Sequence, residues 1–138
     1  MIINKHLKTH KPKINSTEFK STILTQGSIG LKVLEKGPIA LNQYNAIKHF
    51  FRRFLKKNKG RLWYRIFPEI FITKKSLGNA RMGKGKGSVD TMILYVKKGQ
   101  IILEINLKNN YNVKEAYKLL KQCQNKLSLR SKIFYLKK

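Results

Sequence analysis

Basic side chains outnumber acidic ones so heavily in this chain that charge, before any pattern, limits how it can fold. Its 138 residues include 31 Lys and Arg against 6 Asp and Glu, a net charge of +25. Like charges at that density repel one another in a compact state unless a polyanion neutralises them. The acids are too few for internal ion pairs to absorb the excess. Solvation is explanation enough for any single surface Lys, but the excess as a whole calls for a negatively charged partner. At the same time, 41% of the residues are hydrophobic, enough for a core, which excludes a wholly disordered polybasic segment. The length fits one domain with an attached arm.

Nucleic acid, an anionic membrane surface and acidic proteins are the candidate polyanions. No apolar run approaches the ~18 residues of a transmembrane helix. Binding to a membrane surface would concentrate charge on one amphipathic helix, whereas strands and loops here carry as much of it. The single cysteine, Cys123, leaves no intrachain disulfide and suits a reducing or matrix-like compartment. It falls on the apolar face of a predicted helix and is read as core packing. His6, His10 and His49 are distant from it in sequence, so no metal site and no cofactor is expected. The first residues lack a secretory apolar core and contain no Arg before Arg52, so no cleaved leader is expected. Lys, Asn and Ile are used heavily, and all three have A/T-rich codons, which points to an A/T-rich genome such as an organelle's own.

Residues 1–25 are polar and basic with little periodicity and predict an extended arm that orders on its partner. Residues 26–138 predict a single domain. Ile29, Leu31 and Val33 alternate as in a strand that ends in a turn at Lys36-Gly37-Pro38. Asn42 is the predicted cap of a helix running to about Asn58, with Gly60 beyond it. Ala46, Ile47, Phe50, Phe54 and Leu55 form its predicted apolar face. Lys48, Arg52, Lys56 and Lys59 recur at helical spacing, and Arg53 and Lys57 widen the stripe; a stripe of one sign favours a polyanion. Arg61 to Phe67 alternates again, and Ile70 to Thr73 reads as a short strand. Val89–Val96 and Gln100–Ile105 predict a hairpin across Lys97-Lys98-Gly99. Asn112 and Glu115 resemble a capping box for a helix to about Leu127, with Ala116, Leu119, Leu120, Cys123 and Leu127 on its apolar face. Lys132–Leu136 predicts a last strand. The mixture implies an α+β domain with a mostly antiparallel sheet and two helices.

The stretch Gly78 to Gly85 comes close to a Walker A phosphate loop. That motif requires Ser or Thr after its Lys, but Gly85 follows Lys84. It also requires a helix next, but Ser88 onward reads as a strand. Nucleotide hydrolysis is therefore disfavoured. A free surface loop is the plain alternative. Three glycines that admit close backbone approach, two lysines and Arg81 suit contact with phosphate better. The acids are scattered, and Asp90 with Glu104 is the one conceivable catalytic pair. No other arrangement suggests an enzyme or a small-molecule substrate.

Four stretches in order resemble one family. They are Gly27-Ser28-Ile29-Gly30-Leu31-Lys32, the basic helix after Asn42, Arg61-Leu62-Trp63-Tyr64-Arg65-Ile66-Phe67-Pro68 with Ile72-Thr73-Lys74-Lys75, and Arg81-Met82-Gly83-Lys84-Gly85-Lys86-Gly87. The resemblance covers roughly residues 27–135 and is to the L-sixteen family of large-subunit ribosomal proteins from bacteria and organelles. It implies a hammerhead-like α+β fold. It also implies a structural role on large-subunit rRNA near the aminoacyl-tRNA site and the peptidyl-transferase region, with tRNA and neighbouring ribosomal proteins as further partners. By the resemblance Arg81, Lys84 and Lys86 stand at the motif's arginine and lysines, and the expected RNA-contacting residues are the whole loop (Arg81, Met82, Gly83, Lys84, Gly85, Lys86 and Gly87) together with Lys32, Arg52, Arg53, Lys56, Lys57, Arg61, Arg65, Lys74 and Lys75. Departures from the family's pattern are Ser76 in place of a usual Pro, one additional residue between it and Arg81, Ile105-Asn106-Leu107-Lys108 after Glu104, and an N-terminal arm that matches only in being basic. With the codon bias, a mitochondrial ribosome is the expected location, and a plastid or bacterial cytoplasm the alternative. A free nucleic-acid chaperone is the other reading of the basicity.

Overall fold

The alternating residues Ile29, Leu31 and Val33 form strand β1 (Ile29–Val33), and all three are buried. The structure is a computed structural model that describes residues 8–13, 16–58, 60–75, 83, 85–107 and 113–136. After β1 come β2 (Gly37–Ala40), α1 (Leu41–Asn58), β3 (Arg61–Tyr64), β4 (Ile70–Lys74) and β5 (Ser88–Val96). Then follow β6 (Ile101–Asn106), α2 (Val113–Lys126) and β7 (Ser131–Tyr135). The strands form a four-stranded sheet of order β3-β6-β1-β7 and a three-stranded sheet of order β2-β5-β4. Every neighbouring pair is antiparallel. The expected α+β architecture is therefore present, divided into two sheets.

The division corrects the expected hairpin. β5 does not pair with β6; it pairs with β2 and β4, while β6 lies between β1 and β3. The end of β1 captures the connection between them. Gly99 N–H donates to Val33 O at 2.8 Å, and Val33 N–H donates to Gln100 O at 2.9 Å. Gly99 has φ +89°, so the chain turns out of one sheet and enters the other at a position suited to glycine. The expected turn at Gly37-Pro38 is likewise the start of β2. That strand is an edge, where a proline without an N–H is tolerated.

Helix α1 begins one residue before the expected cap. The side chain of Gln43 reaches back to accept from Ala40 N–H at 3.2 Å, as the third helical residue does in a capping box, and Asn42 lies within the helix. Its buried residues are Tyr44, Ile47 and Phe51. Phe50 and Phe54 pack at the margin of the core, but Ala46 is exposed, because the buried stripe is turned slightly from the predicted one. In α2 the expected face is seen: Ala116, Leu120 and Cys123 are buried, with Leu119 and Leu127 beside them. Burial pushes the Cys123 thiol up to about 12, so it remains a neutral packing group. Asn112 lies outside the described residues. The strand expected from Arg61 to Phe67 ends at Tyr64, although Arg65 N–H still donates to Ile102 O at 2.9 Å.

One acid is buried among the described residues. Glu104, on β6, is 0% exposed. Its Oε2 accepts from Gln26 N–H and Gly27 N–H, both at 2.8 Å, and from Thr25 N–H at 3.2 Å. Its Oε1 pairs with the Arg65 guanidinium, which also donates to Thr25 Oγ1 at 2.7 Å. Gly27 fits because a Cβ there would meet Glu104 Cβ at 2.8 Å. Burial raises the Glu104 pKa, but the Gln26 and Gly27 amides, the Arg65 charge and the Thr25 amide outweigh it and hold the carboxyl below its ordinary 4.5.

A group whose pKa is lowered on folding stabilises the fold above its unfolded pKa and loses that contribution as pH falls through the folded value. Urea unfolding of the full chain should therefore show acid destabilisation below about pH 4.5 that is reduced in Glu104→Gln. At neutral pH, Glu104→Gln should cost about 3–5 kcal/mol, as expected when one partner of a buried pair is removed. A cost under about 1 kcal/mol would show that the carboxylate is not a structural clamp.

Candidate nucleic-acid interface

The glycine-lysine loop closes the β4–β5 hairpin, whose last pair is Lys74 with Ser88. β2 pairs with β5 only from Ile93 to Val96. Residues 88–92 therefore pair with β4 alone, in a two-stranded ribbon. At ~3.4 Å per residue it extends roughly 15 Å beyond the sheet. Its two strands carry the loop away from the core.

Gly83 and Gly85 have φ +86° and +85°, and a Cβ at either would have no atom within 4 Å. Left-handed glycines in open space leave the backbone accessible to a large partner. Gly87 serves a different need, since a Cβ there would lie 2.6 Å from the Lys74 carbonyl carbon. Arg81, Met82 and Lys84 lie outside the described residues. Lys74 and Lys75 are exposed at the end of β4.

The basic segment before the domain meets this ribbon. Thr9 Oγ1 accepts from Phe71 N–H and donates to Phe71 O, each at 3.2 Å, on β4. Lys86 Nζ donates to Thr9 O at 2.8 Å and to Lys8 O at 3.3 Å, and Lys8 Nζ donates to Lys86 O at 3.0 Å. Further along, Glu18 N–H donates to Lys98 O at 2.9 Å, Ile101 N–H donates to Ser21 O at 3.1 Å, and Leu24 is buried. Residues 16–25, expected within an extended arm, thus lie against the domain.

A second basic surface runs along α1, where Lys48, Arg52, Arg53 and Lys56 are exposed. The side chain of Lys57, and Lys59, lie outside the described residues. Arg61 is exposed at the start of β3. Besides Lys86, two further expected contact residues have intramolecular partners. Arg65 pairs with Glu104, and Lys32 Nζ donates to Thr22 O at 3.3 Å and sits 4.8 Å from the centre of the Phe134 ring. The feature that sequence reasoning missed is the Glu104 clamp. Its signal was present: an acid in the apolar run Ile101-Ile102-Leu103-Glu104-Ile105 needs a partner when the strand is buried.

The conceivable pair of Asp90 and Glu104 does not form a catalytic dyad. Asp90 is exposed on β5 of the three-stranded sheet, while both Glu104 oxygens are taken up within the four-stranded one. Among the described residues no cluster of His, Cys, Asp and Glu suits a metal ion, and no helix is long and apolar enough to cross a membrane.

Comparison with known proteins identifies the family. The protein is similar to the large ribosomal subunit protein uL16 of Kosmotoga olearia, at 38% identity over 94% of this chain and 88% of the relative. It is 34% identical to that of Akkermansia muciniphila over 95% of this chain and 90% of the relative. It is 35% identical to that of Chlamydia trachomatis over 81% and 78%. The profile of ribosomal protein L16p/L10e matches residues 3–134, a span that holds both helices, the loop and every strand except the last residue of β7. On this match and these relatives, the chain belongs to the ribosomal protein L16p/L10e family.

Proposed function

We propose that the chain is a structural constituent of the large ribosomal subunit, bound to large-subunit rRNA through the α1 basic face and the β4–β5 loop. The loop would reach toward tRNA near the aminoacyl site. The observation that carries this reading is the projecting ribbon, with left-handed Gly83 and Gly85 at its end and lysines beside them. Phosphate contacts fix a protein's register on RNA without reading its sequence, and Lys and Arg on rigid elements suit that task. The proposed role is positioning, with no chemical step assigned to a side chain. The proposed location is a mitochondrial ribosome, supported by heavy use of Lys, Asn and Ile. Neighbouring ribosomal proteins are further proposed partners.

The chain should sediment with large subunits from purified mitochondria in moderate salt and be stripped from them in high salt. Recovery only in ribosome-free fractions would favour a free nucleic-acid chaperone and sink the structural role. Recovery only on plastid or bacterial ribosomes would correct the compartment.

Replacing Arg52 and Lys56 by Ala should weaken binding to an rRNA fragment. The slope of log affinity against log salt should fall by about 0.7–0.9 for each phosphate no longer neutralised. An unchanged slope would show that α1 does not touch phosphate.

Arg81→Ala should leave subunit association intact while slowing tRNA-dependent steps of translation. Normal elongation by ribosomes carrying that variant would remove tRNA from the proposal.

A further inference from the structure

The Glu104 clamp shapes a groove beside β3. In the β3–β6 register Arg61 lies opposite Asn106 and Trp63 opposite Glu104. Arg61 and Trp63 are two residues apart and share a face of the strand, the face over which Glu104 holds residues 25–27. The groove there has a volume of about 590 Å³ and is lined by Gln26, Arg61, Trp63, Asn106 and Leu107. That volume lies within the ~300–1,000 Å³ range of small-ligand sites.

Its chemistry is particular. Trp63 is half-buried and offers an indole plane, and Leu107 adds an apolar wall. Gln26 and Asn106 are exposed carboxamides, each with both donors and an acceptor. Arg61 supplies a permanent positive charge at the exposed rim. An aromatic plane, amides able to pair with a base edge and a cation for phosphate are the groups by which single-stranded RNA is recognised. None of the five lining residues is acidic, so nothing in the lining repels an anionic chain.

We infer that this groove takes one unpaired, extruded RNA nucleotide. The base stacks on Trp63, its edge meets Asn106 and Gln26, and Arg61 holds the adjoining phosphate. The inference rests on the proposed RNA binding and adds base-level contact to a surface otherwise read as phosphate-binding. Residue Gln26 enters the groove because its own amide is fixed on Glu104 at 2.8 Å, so the wall is held by the fold before RNA arrives.

The chain contains a single tryptophan, so its emission reports this groove alone. Full-length protein would be titrated with a single-stranded RNA dodecamer, a blunt RNA duplex, and an abasic dodecamer of equal charge. The base-bearing single strand should quench Trp63 emission saturably, while the abasic strand and the duplex should not. Asn106→Ala, at an exposed position, should weaken binding of the single strand and leave the salt slope unchanged. Trp63→Leu should reduce affinity roughly 5- to 150-fold, the range for losing one stacked base, and Trp63→Phe should restore most of it. Equal quenching by the abasic strand or duplex would overturn the inference. So would salt-dependent RNA binding without quenching, the result expected if a peptide fills the groove. Failure of the wild-type chain to bind any of the three RNAs would instead remove the proposed RNA-binding function itself.

Discussion

The carboxylate of Glu104 is the interaction on which the arrangement of this molecule most depends. A lone ion in a protein interior costs several kcal/mol, and it persists only where charge and hydrogen bonds compensate it. Here one oxygen takes three successive backbone amides and the other takes a guanidinium. Carboxylate and donors together join three separate parts of the chain: β6, the segment before β1, and the residue just after β3. An apolar contact would hold the same parts together without fixing which atom meets which. The carboxylate fixes the path of residues 25–27 over the sheet because each of their N–H groups has one place to point. In a chain with so few acids, placing one of them inside leaves the outer surface still more uniformly positive.

Two of the other acids form ion pairs with basic side chains. Glu18 holds Lys97 at 3.5 Å, and Glu35 holds Arg130 at 3.3 Å. The second pair is well exposed, and such pairs contribute on the order of 0–1 kcal/mol. They orient connections between strands more than they offset the net charge. The self-repulsion of the excess is therefore left to be relieved from outside, which is the thermodynamic sense in which this fold is built for a polyanion.

Much of the fold was legible in the sequence because local patterns carried it. Period-two alternation marked β1 and the start of β3, and the Ala116-Leu120-Cys123 stripe marked α2. What was not legible was pairing. Val89–Val96 and Gln100–Ile105 are close in sequence and separated by a glycine turn, so a hairpin was the simplest reading. The hydrogen bonds between Val33 and the turn, from residues more than sixty positions away, decide otherwise. Pro38 misled for a similar reason, since only the finished sheet shows that it lies on an edge. At the interface, composition singled out the loop and the α1 stripe, whereas the inward commitment of Arg65 depends on where Glu104 lies across the β3–β6 pairing. Alternation places Arg61, Trp63 and Arg65 on one side of a strand but does not say which of them meets an acid.

That last distinction changes how the basic residues should be weighed. Lys86 already donates to two carbonyls of the preceding segment, which leaves one of its three ammonium protons for an outside anion. Residues 8 and 9 have a further tie to the ribbon, because the Thr9 hydroxyl holds Phe71 on both sides. The loop lysine and the N-terminal segment are thereby joined through one ammonium group. The exposed cations of α1 carry no such linkage in their backbone, which is fixed by the helix and by Tyr44, Ile47 and Phe51 in the core. In the proposed RNA complex, the rigid helical surface would match a fixed backbone path, and the loop lysine would keep its hold on its own chain.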